Sequence, residues 1–78
     1  MKSNKDIAAL SAVPILEALS EVMLEEGVSF AEFTELAKQA FVGAAEKVLA
    51  QEKRVSDSRV AILTGMHRKD VKRLRAMD

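Results

Sequence analysis

A single glycine, Gly65, divides the last third of the chain into two apolar-periodic segments and limits how that part can fold. Residues 56–77 read SDSRVAILTGMHRKDVKRLRAM. Glycine adopts the left-handed backbone conformation of a sharp turn without steric cost. Ala61, four residues earlier, is small enough for a second helix to cross closely. This spacing predicts two short helices joined by a turn, a helix-turn-helix.

The apolar positions around Gly65 fit the core of such a motif. Counted from Asp57 as position 1, apolar residues fall at positions 4, 10, 15 and 18, where the two helices face each other. Ser56 or Asp57 is expected to cap the first helix, and His67 or Met66 to precede the second. The predicted motif core is Val60, Ala61, Gly65, Met66, Val71 and Leu74.

Charge is unevenly distributed although the whole chain is neutral, with 12 basic and 12 acidic residues. Residues 1–50 hold four lysines against eight acidic residues, a balance of −4. Residues 51–78 hold eight basic against four acidic residues, a balance of +4. A basic region of this kind is typical of a surface that binds a polyanion.

The second helix of the motif carries the basic side chains that a recognition helix uses in the major groove of DNA. Cations attract phosphates, and arginine can donate two hydrogen bonds to guanine. Residues 68–77 are therefore predicted to enter the groove. Arg59 can either contact phosphate or pair with a glutamate of the acidic half. Asp70 is expected to hold Arg68 or Arg73 in place and not to contact DNA. The predicted DNA-binding residues are His67, Arg68, Lys69, Lys72, Arg73, Arg75 and Arg59.

Two or three further helices are expected before the motif. Pro14 is typical of a first helical turn, and the residue before a proline avoids helical geometry, so we expect a break near Val13. Gly27 is expected to end the helix that follows. Ser29 and Glu32 have the spacing of a capping box for the next helix.

That next helix is predicted to run from Phe30 to about Gln51 by the spacing of its apolar residues. Gly43 in its middle marks either a close helix crossing or a break. The expected apolar stripe is Phe33, Leu36, Ala37, Ala40, Phe41, Ala44, Ala45, Val48 and Leu49. Phe30, Phe33 and Phe41 are expected to be core or dimer contacts, because no basic residues interleave with them.

These patterns predict an all-α fold with four to five helices and a C-terminal helix-turn-helix. One domain is expected, residues 1–78, in which residues 1–54 form an acidic helical scaffold for the motif at residues 56–77. The chain has no cysteine, which excludes disulfides and thiolate metal sites. We find no apolar run near the roughly 18 residues that cross a membrane, and so expect a cytoplasmic protein without a membrane partner.

The sequence offers little for catalysis. It shows no glycine-rich phosphate loop, no cluster of metal ligands and no pairing of a nucleophile with a base, so we expect no enzyme, no cofactor and no metal. The single histidine, His67, lies among basic residues. A helix cap or a phosphate contact is the favoured interpretation of such a histidine, ahead of a metal ligand.

The stretch SRVAILTGMHRKDVKRL resembles the signature of a bacterial family of uncharacterised proteins with a predicted helix-turn-helix. The upstream segment GVSFAEFTELAKQAFVGAA resembles the same family, so the likeness covers about residues 14–75. It implies a transcriptional regulator. Members are usually longer, which leaves open whether residues 1–78 are the whole protein or its N-terminal domain. The shared pattern is carried by Ser58, Arg59, Leu63, Thr64, Gly65, His67, Arg68, Lys69, Asp70 and Val71.

The expected partners are double-stranded DNA and a second copy of the chain. One such module buries little surface on DNA, and a dimer with two-fold symmetry raises affinity. The helix that contains Phe41, or the first helix, would form the dimer interface. The alternative function is a non-catalytic protein–protein interaction or dimerisation module, and binding of RNA by residues 68–75 is a further rival.

Overall fold

The computed structural model describes residues 2–77, which contain four helices and no strand. The all-α fold class and the expected number of helices are confirmed. The chain divides into two compact units, the first ending at Phe33 and the second beginning at Thr34. The helices are α1 (Asn4–Glu25), α2 (Phe30–Val48), α3 (Asp57–Thr64) and α4 (Arg68–Arg75).

Helix α1 continues without interruption through Pro14, so the expected break near Val13 was wrong. Proline removes one backbone donor and costs about 3 kcal/mol inside a helix, but it does not have to end one that is held elsewhere. The N-terminus is held by a capping box. Ser3 Oγ accepts from the Asp6 N–H at 3.2 Å, and the Asp6 carboxylate accepts from the Ser3 N–H at 3.4 Å.

The C-terminal end of α1 is closed by Gly27, as the sequence predicted. Gly27 has a φ of 80° and donates its N–H to the carbonyl of Leu24 at 3.1 Å. The N–H of Val28 donates to the carbonyl of Met23 at 2.9 Å. These two bonds form a Schellman motif, which needs a left-handed residue at the glycine position.

Helix α2 begins at the predicted capping box and ends at Val48, slightly before the expected Gln51. The N–H of Glu32 donates to Ser29 Oγ at 3.2 Å, and the N–H of Ser29 donates to the Glu32 carboxylate at 3.4 Å. The helix is continuous at Gly43, and a Cβ added there would meet no atom of residues 2–77 within 4 Å. Gly43 therefore marks neither a break nor a close helix crossing.

The hydrophobic core of the described residues lies in the second unit. Helix α2 contributes Ala45, a member of the predicted stripe, and Val42, which lies beside the stripe, whereas Phe41 is 58% and Val48 71% exposed. The stripe was therefore right for Ala45 and Leu49 and wrong for Phe41 and Val48, because α2 is apolar over two neighbouring faces and only packing against α3 and α4 selects one. The buried residues are Val42, Ala45, Leu49, Val60, Val71 and Leu74.

The phenylalanines do not build this core. Phe30 is 81% exposed, Phe41 is also exposed, and Phe33 is half-buried. Of the two expected roles, core residue or dimer contact, the first is therefore wrong for Phe30 and Phe41. Aliphatic side chains fill the small space between three helices, and this leaves the larger rings outside. Whether the rings contact a second copy stays a prediction.

None of the 22 residues of α1 is buried in the structure of residues 2–77. By length and composition alone, α1 is long and apolar enough to cross a membrane. The sequence expectation missed it because Glu17 and Glu21 interrupt the apolar run. Signal sequences and core helices of soluble proteins meet the same criterion, so it assigns no location by itself.

Candidate nucleic-acid interface

The turn between α3 and α4 is held by local hydrogen bonds around Gly65. The glycine has a φ of 72° and donates its N–H to the carbonyl of Ala61 at 2.9 Å. Thr64 Oγ1 donates to the carbonyl of Val60 at 2.8 Å and accepts from the N–H of Met66 at 3.1 Å. The threonine hydroxyl thus satisfies a backbone donor and a backbone acceptor at the corner.

All members of the predicted motif core lie at the contact between the two short helices or at their turn. Val60 and Val71 are fully buried and Leu74 nearly so. Ala61 and Met66 are partly buried and pack against them. This apolar contact fixes α4 against α3, which determines the side of α4 that remains exposed.

Both short helices begin where the sequence allowed, but with different caps. Ser56 is the N-cap of α3, and its Oγ accepts from the N–H of Arg59 at 3.1 Å. His67 is the N-cap residue of α4 and forms no side-chain capping bond. The exposed imidazole of His67 is therefore free to contact a ligand at the N-terminal end of α4, next to Arg68.

Arg75, a predicted DNA contact, forms three hydrogen bonds within the protein. Its guanidinium donates to Glu46 at 3.1 Å, to Asp57 at 2.8 Å and to the carbonyl of Val55 at 3.0 Å. Its side chain is only 23% exposed. The prediction placed Arg75 on the DNA surface because position along a helix does not reveal carboxylates that are distant in sequence. These contacts make Arg75 a structural link between α2, α3 and α4.

Arg73 is also engaged, in an ion-pair network between α2 and α4. It pairs with Glu35 and, at 3.3 Å, with Asp70, which accepts from Lys38 Nζ at 3.3 Å. The hydrogen bond from Arg73 lowers the pKa of the Glu35 carboxyl. Hydrogen bonds from Arg73 and Lys38 lower the pKa of Asp70, and the carboxylates raise the pKa of Arg73. Asp70 therefore holds Arg73, one of the two alternatives considered.

Arg59 pairs with a glutamate, but with a nearby one and not with one of the acidic half as the sequence suggested. Its Nε lies 3.1 Å and its Nη2 3.0 Å from the carboxylate of Glu52. Glu52 belongs to the connection before α3 and not to the acidic first fifty residues. Three of the seven predicted DNA-binding residues thus form ion pairs with carboxylates of the protein: Arg59, Arg73 and Arg75.

The remaining cations of α4 are free of such partners. Within residues 2–77, the side chains of Arg68, Lys69 and Lys72 form no hydrogen bond or ion pair, and all three are exposed. Arg68 and Lys72 are four residues apart and so lie on one side of the helix. Together with Lys69 and His67, these two residues form the surface that we call the α4 basic face.

A hollow of about 600 Å³ adjoins the α4 basic face. Arg68 and Lys72 line it from α4, Ser58 lines it from α3, and Arg54 lines it from the connection between α2 and α3. Arg54 forms no ion pair within residues 2–77. Arg54 was not among the predicted site residues, because residues 51–54 resemble a polar linker in the sequence. Its basic charge just before the first motif helix was the available signal.

The chemistry of this arrangement suits a polyanion. Three unpaired cations and a hydroxyl surround the hollow, and cations of this kind bind phosphate oxygens through charge-assisted hydrogen bonds. Within residues 2–77, no group of three histidine, aspartate or glutamate side chains lies close enough to hold a metal ion. Glu46 and Asp57 also line the hollow and both pair with Arg75. Together with Arg54, Arg68 and Lys72, Arg75 makes four cations, which outnumber the two carboxylates.

Comparison with known proteins identifies a family but no activity. The model of a family of unknown function (DUF6502) matches residues 7–78. No curated protein and no solved structure matches the chain. The family agrees with the resemblance in being uncharacterised, and the regulatory role stays a prediction. Because the match extends over nearly the whole chain, the protein belongs to this family of unknown function, DUF6502.

Proposed function

We propose that this protein binds double-stranded DNA as a transcriptional regulator, with α4 in the major groove. One observation carries the proposal: once the ion pairs are assigned, the unpaired cations of α4 are gathered on one face. Arg54 adds a fourth cation at the adjoining hollow. A convex helix with unpaired cations, held rigidly by a second helix, is what a major groove accommodates.

The contacts differ in their expected roles. Residues at the N-terminal end of a recognition helix reach the base edges, which assigns His67, Arg68 and Lys69 to the groove floor. Arg54 and Lys72 line the hollow and are assigned to backbone phosphates. Arg59, Arg73 and Arg75 support α4 and do not contact DNA in this proposal.

The proposal includes a homodimer in the cytoplasm, associated with the nucleoid when bound to DNA, without catalysis or a cofactor. A single module of this size buries little DNA surface, and two-fold symmetry would let two copies read two half-sites. Neutralised phosphates make binding depend strongly on salt.

Fluorescence anisotropy with a random-sequence duplex tests the proposal. We expect the wild-type protein to bind at low salt and to lose affinity steeply as salt increases. Lys69→Glu and Lys72→Glu are each expected to weaken binding at least tenfold. Lys47→Glu is the matched control, because Lys47 is exposed and unpaired within residues 2–77 and lies on α2, opposite its buried side.

Absence of binding at low salt would overturn the proposal. So would equal effects of the three charge reversals, because that would indicate a dependence on total charge and not on the α4 basic face. Competition with a structured RNA separates DNA binding from RNA binding. If the surface prefers RNA, the structured RNA displaces the labelled duplex more effectively than unlabelled duplex does.

A protein-interaction module is the second candidate, favoured by an exposed apolar hollow of about 230 Å³ in the second unit. Phe41, Val48 and Leu63 line this hollow and are 58%, 71% and 44% exposed. Large exposed apolar patches are typical of protein contact sites. If this candidate is correct, the protein does not bind the duplex. The wild-type protein then binds a protein partner that the Phe41→Ser variant does not bind.

A further inference from the structure

Helix α1 presents apolar side chains to solvent along its whole length. Among residues 2–77 no other part of the chain buries any residue of α1. A soluble helix that is apolar on most sides is normally enclosed by other protein. Eight large apolar side chains of α1 are between 42% and 71% exposed: Ile7, Leu10, Val13, Ile15, Leu16, Leu19, Val22 and Leu24.

The two serine hydroxyls within α1 do not oppose its burial against another protein surface. Ser11 Oγ donates to the carbonyl of Ile7 at 2.8 Å, and Ser20 Oγ donates to the carbonyl of Leu16 at 2.6 Å. Both hydroxyls are therefore satisfied by the helix itself, and covering them leaves no unmet donor.

One face of α1 lacks charge between its two ends. Successive positions on this face follow helical spacing, with Lys5 before them and Glu26 after them. Glu17, Glu21 and Glu25 lie on the opposite side of the helix. The residues of this face, in chain order, are Ala8, Ala12, Ile15, Leu19 and Val22, and we call it the α1 apolar face.

The two halves of the α1 apolar face complement each other when one helix is reversed. The N-terminal half carries the small Ala8 and Ala12, and the C-terminal half carries the larger Leu19 and Val22. In an antiparallel pair centred near Ile15, the small half of each copy meets the large half of the other. A parallel pair would instead place alanine against alanine and leave voids.

The charges at the ends favour the same orientation. An antiparallel pair brings Lys5 of one copy next to Glu26 of the other, twice, whereas a parallel pair opposes like charges. We propose that α1 is the dimerisation helix and pairs antiparallel with α1 of a second copy. This inference specifies the interface of the homodimer proposed above, but it does not require that the dimer bind DNA.

A lipid bilayer fits α1 less well than a second copy. Glu17 and Glu21 would lie in the hydrocarbon region, where charged side chains are costly and rare. Lys2 precedes the helix and Lys5 lies in its first turn, and basic residues stay on the cytoplasmic side of a membrane. A membrane orientation of this kind would place the second unit, with the α4 basic face, outside the cytoplasm.

A pair of valines provides the first test. Val22 lies on the α1 apolar face and is 54% exposed, and Val13 lies on the opposite side and is 59% exposed. Sedimentation equilibrium of the wild-type chain should give twice the monomer mass of 8.5 kDa. Val22→Lys should weaken dimerisation at least tenfold, and Val13→Lys less than threefold, with helicity by circular dichroism retained in both.

Charge exchange tests the orientation. Lys5→Glu and Glu26→Lys should each weaken the dimer about fivefold, since two exposed pairs become repulsive at once. The double variant restores opposite charges in an antiparallel pair and should recover the wild-type dissociation constant. In a parallel pair the double variant recovers nothing.

Single cysteines give an independent readout, because the chain has none of its own. Ile15→Cys lies near the centre and should oxidise to a covalent dimer. Ala8→Cys should not, since the two Ala8 positions would be about 20 Å apart in an antiparallel pair.

Four results would each overturn the inference: a monomeric wild-type chain, equal effects of the valine variants, an Ala8→Cys disulfide dimer, or α1-dependent binding to neutral lipid vesicles. DNA anisotropy is measured separately and can fail or succeed on its own.

Discussion

The guanidinium of Arg75 lies 2.8 Å from the carboxylate of Asp57 and joins the last turn of α4 to the first turn of α3. Glu46 of α2 adds a second carboxylate at 3.1 Å. A side chain that looks like part of a DNA-binding surface in the sequence is thus a link between three helices. The same distinction, between cations that are paired and cations that are free, separates Arg75 and Arg73 from Arg68 in their expected effects.

Replacement of Arg75 should destabilise the protein. Arg75→Met removes three hydrogen bonds, two of them to carboxylates, and leaves Glu46 and Asp57 without their cation. We expect a loss of about 1–3 kcal/mol in the free energy of unfolding, measured by urea denaturation with circular dichroism. Arg68→Met removes the same charge from an unpaired position and should change the stability by less than about 0.5 kcal/mol. An equal loss in both variants would contradict the structural role of Arg75.

Acid should destabilise the protein through Glu35 and Asp70. Their pKa values are lowered below the ordinary 4.5 and 3.8, so their contribution is present above those values and is lost as pH falls through the folded-state pKa. The thermal midpoint should therefore fall as pH decreases below about 4.5. The raised pKa of Arg73 keeps its charge throughout this range.

Arg73→Gln serves as the comparison for this pH dependence. It removes the first cause of the shift in both carboxyls, so the thermal midpoint of this variant should fall less between pH 6 and pH 3 than that of the wild-type protein. Parallel curves for the two proteins would show that the network does not contribute.

Alanine at Gly43 should stabilise the protein. Gly43 lies in the interior of α2, and a Cβ there would meet no atom of the described part of the chain, residues 2–77, within 4 Å. Alanine restricts the unfolded chain and favours the helix, which gives a gain of about 1 kcal/mol in thermal or urea unfolding. A loss of stability would mean that this position is closely covered in solution, for example by a second copy.

Alanine at Gly65 should have the opposite effect, although space is equally available there. With a φ of 72°, Gly65 has a left-handed conformation that strains any side chain with a Cβ. We expect Gly65→Ala to cost about 1–2 kcal/mol and Gly65→Asn to cost less, because asparagine tolerates this conformation better. Similar losses for alanine and asparagine would argue against backbone strain as the cause.

Two arginines of the motif should differ in DNA binding. Arg68→Gln removes an unpaired cation of the α4 basic face, and we expect affinity for a duplex to fall about tenfold with a smaller dependence on salt. Arg59→Gln removes a cation that already pairs with Glu52 and should alter affinity less than threefold. Anisotropy titrations over a range of salt concentrations measure both. A larger effect at Arg59 would reassign the surface to α3.

Local features of the chain could be predicted because their causes are local. The capping box of Ser29 and Glu32, the left-handed Gly27 and Gly65, and the cap at Ser56 all depend on residues within a few positions of each other. Such interactions have the same partners in any tertiary context. The break at Val13 failed for a related reason, since the proline rule is a preference that a well-capped helix can override.

By itself, the sequence determined the helical fold, the position of the turn at Gly65 and the apolar contact of Val60 with Val71 and Leu74. Only the tertiary structure decided which cations are free, because Arg75 and Glu46 or Arg73 and Glu35 meet across about thirty or more positions of chain. It also decided that Val42 and Ala45 form the buried side of α2. Helical periodicity places residues on a common face, but only packing against a neighbouring helix determines whether that face is buried, paired or exposed.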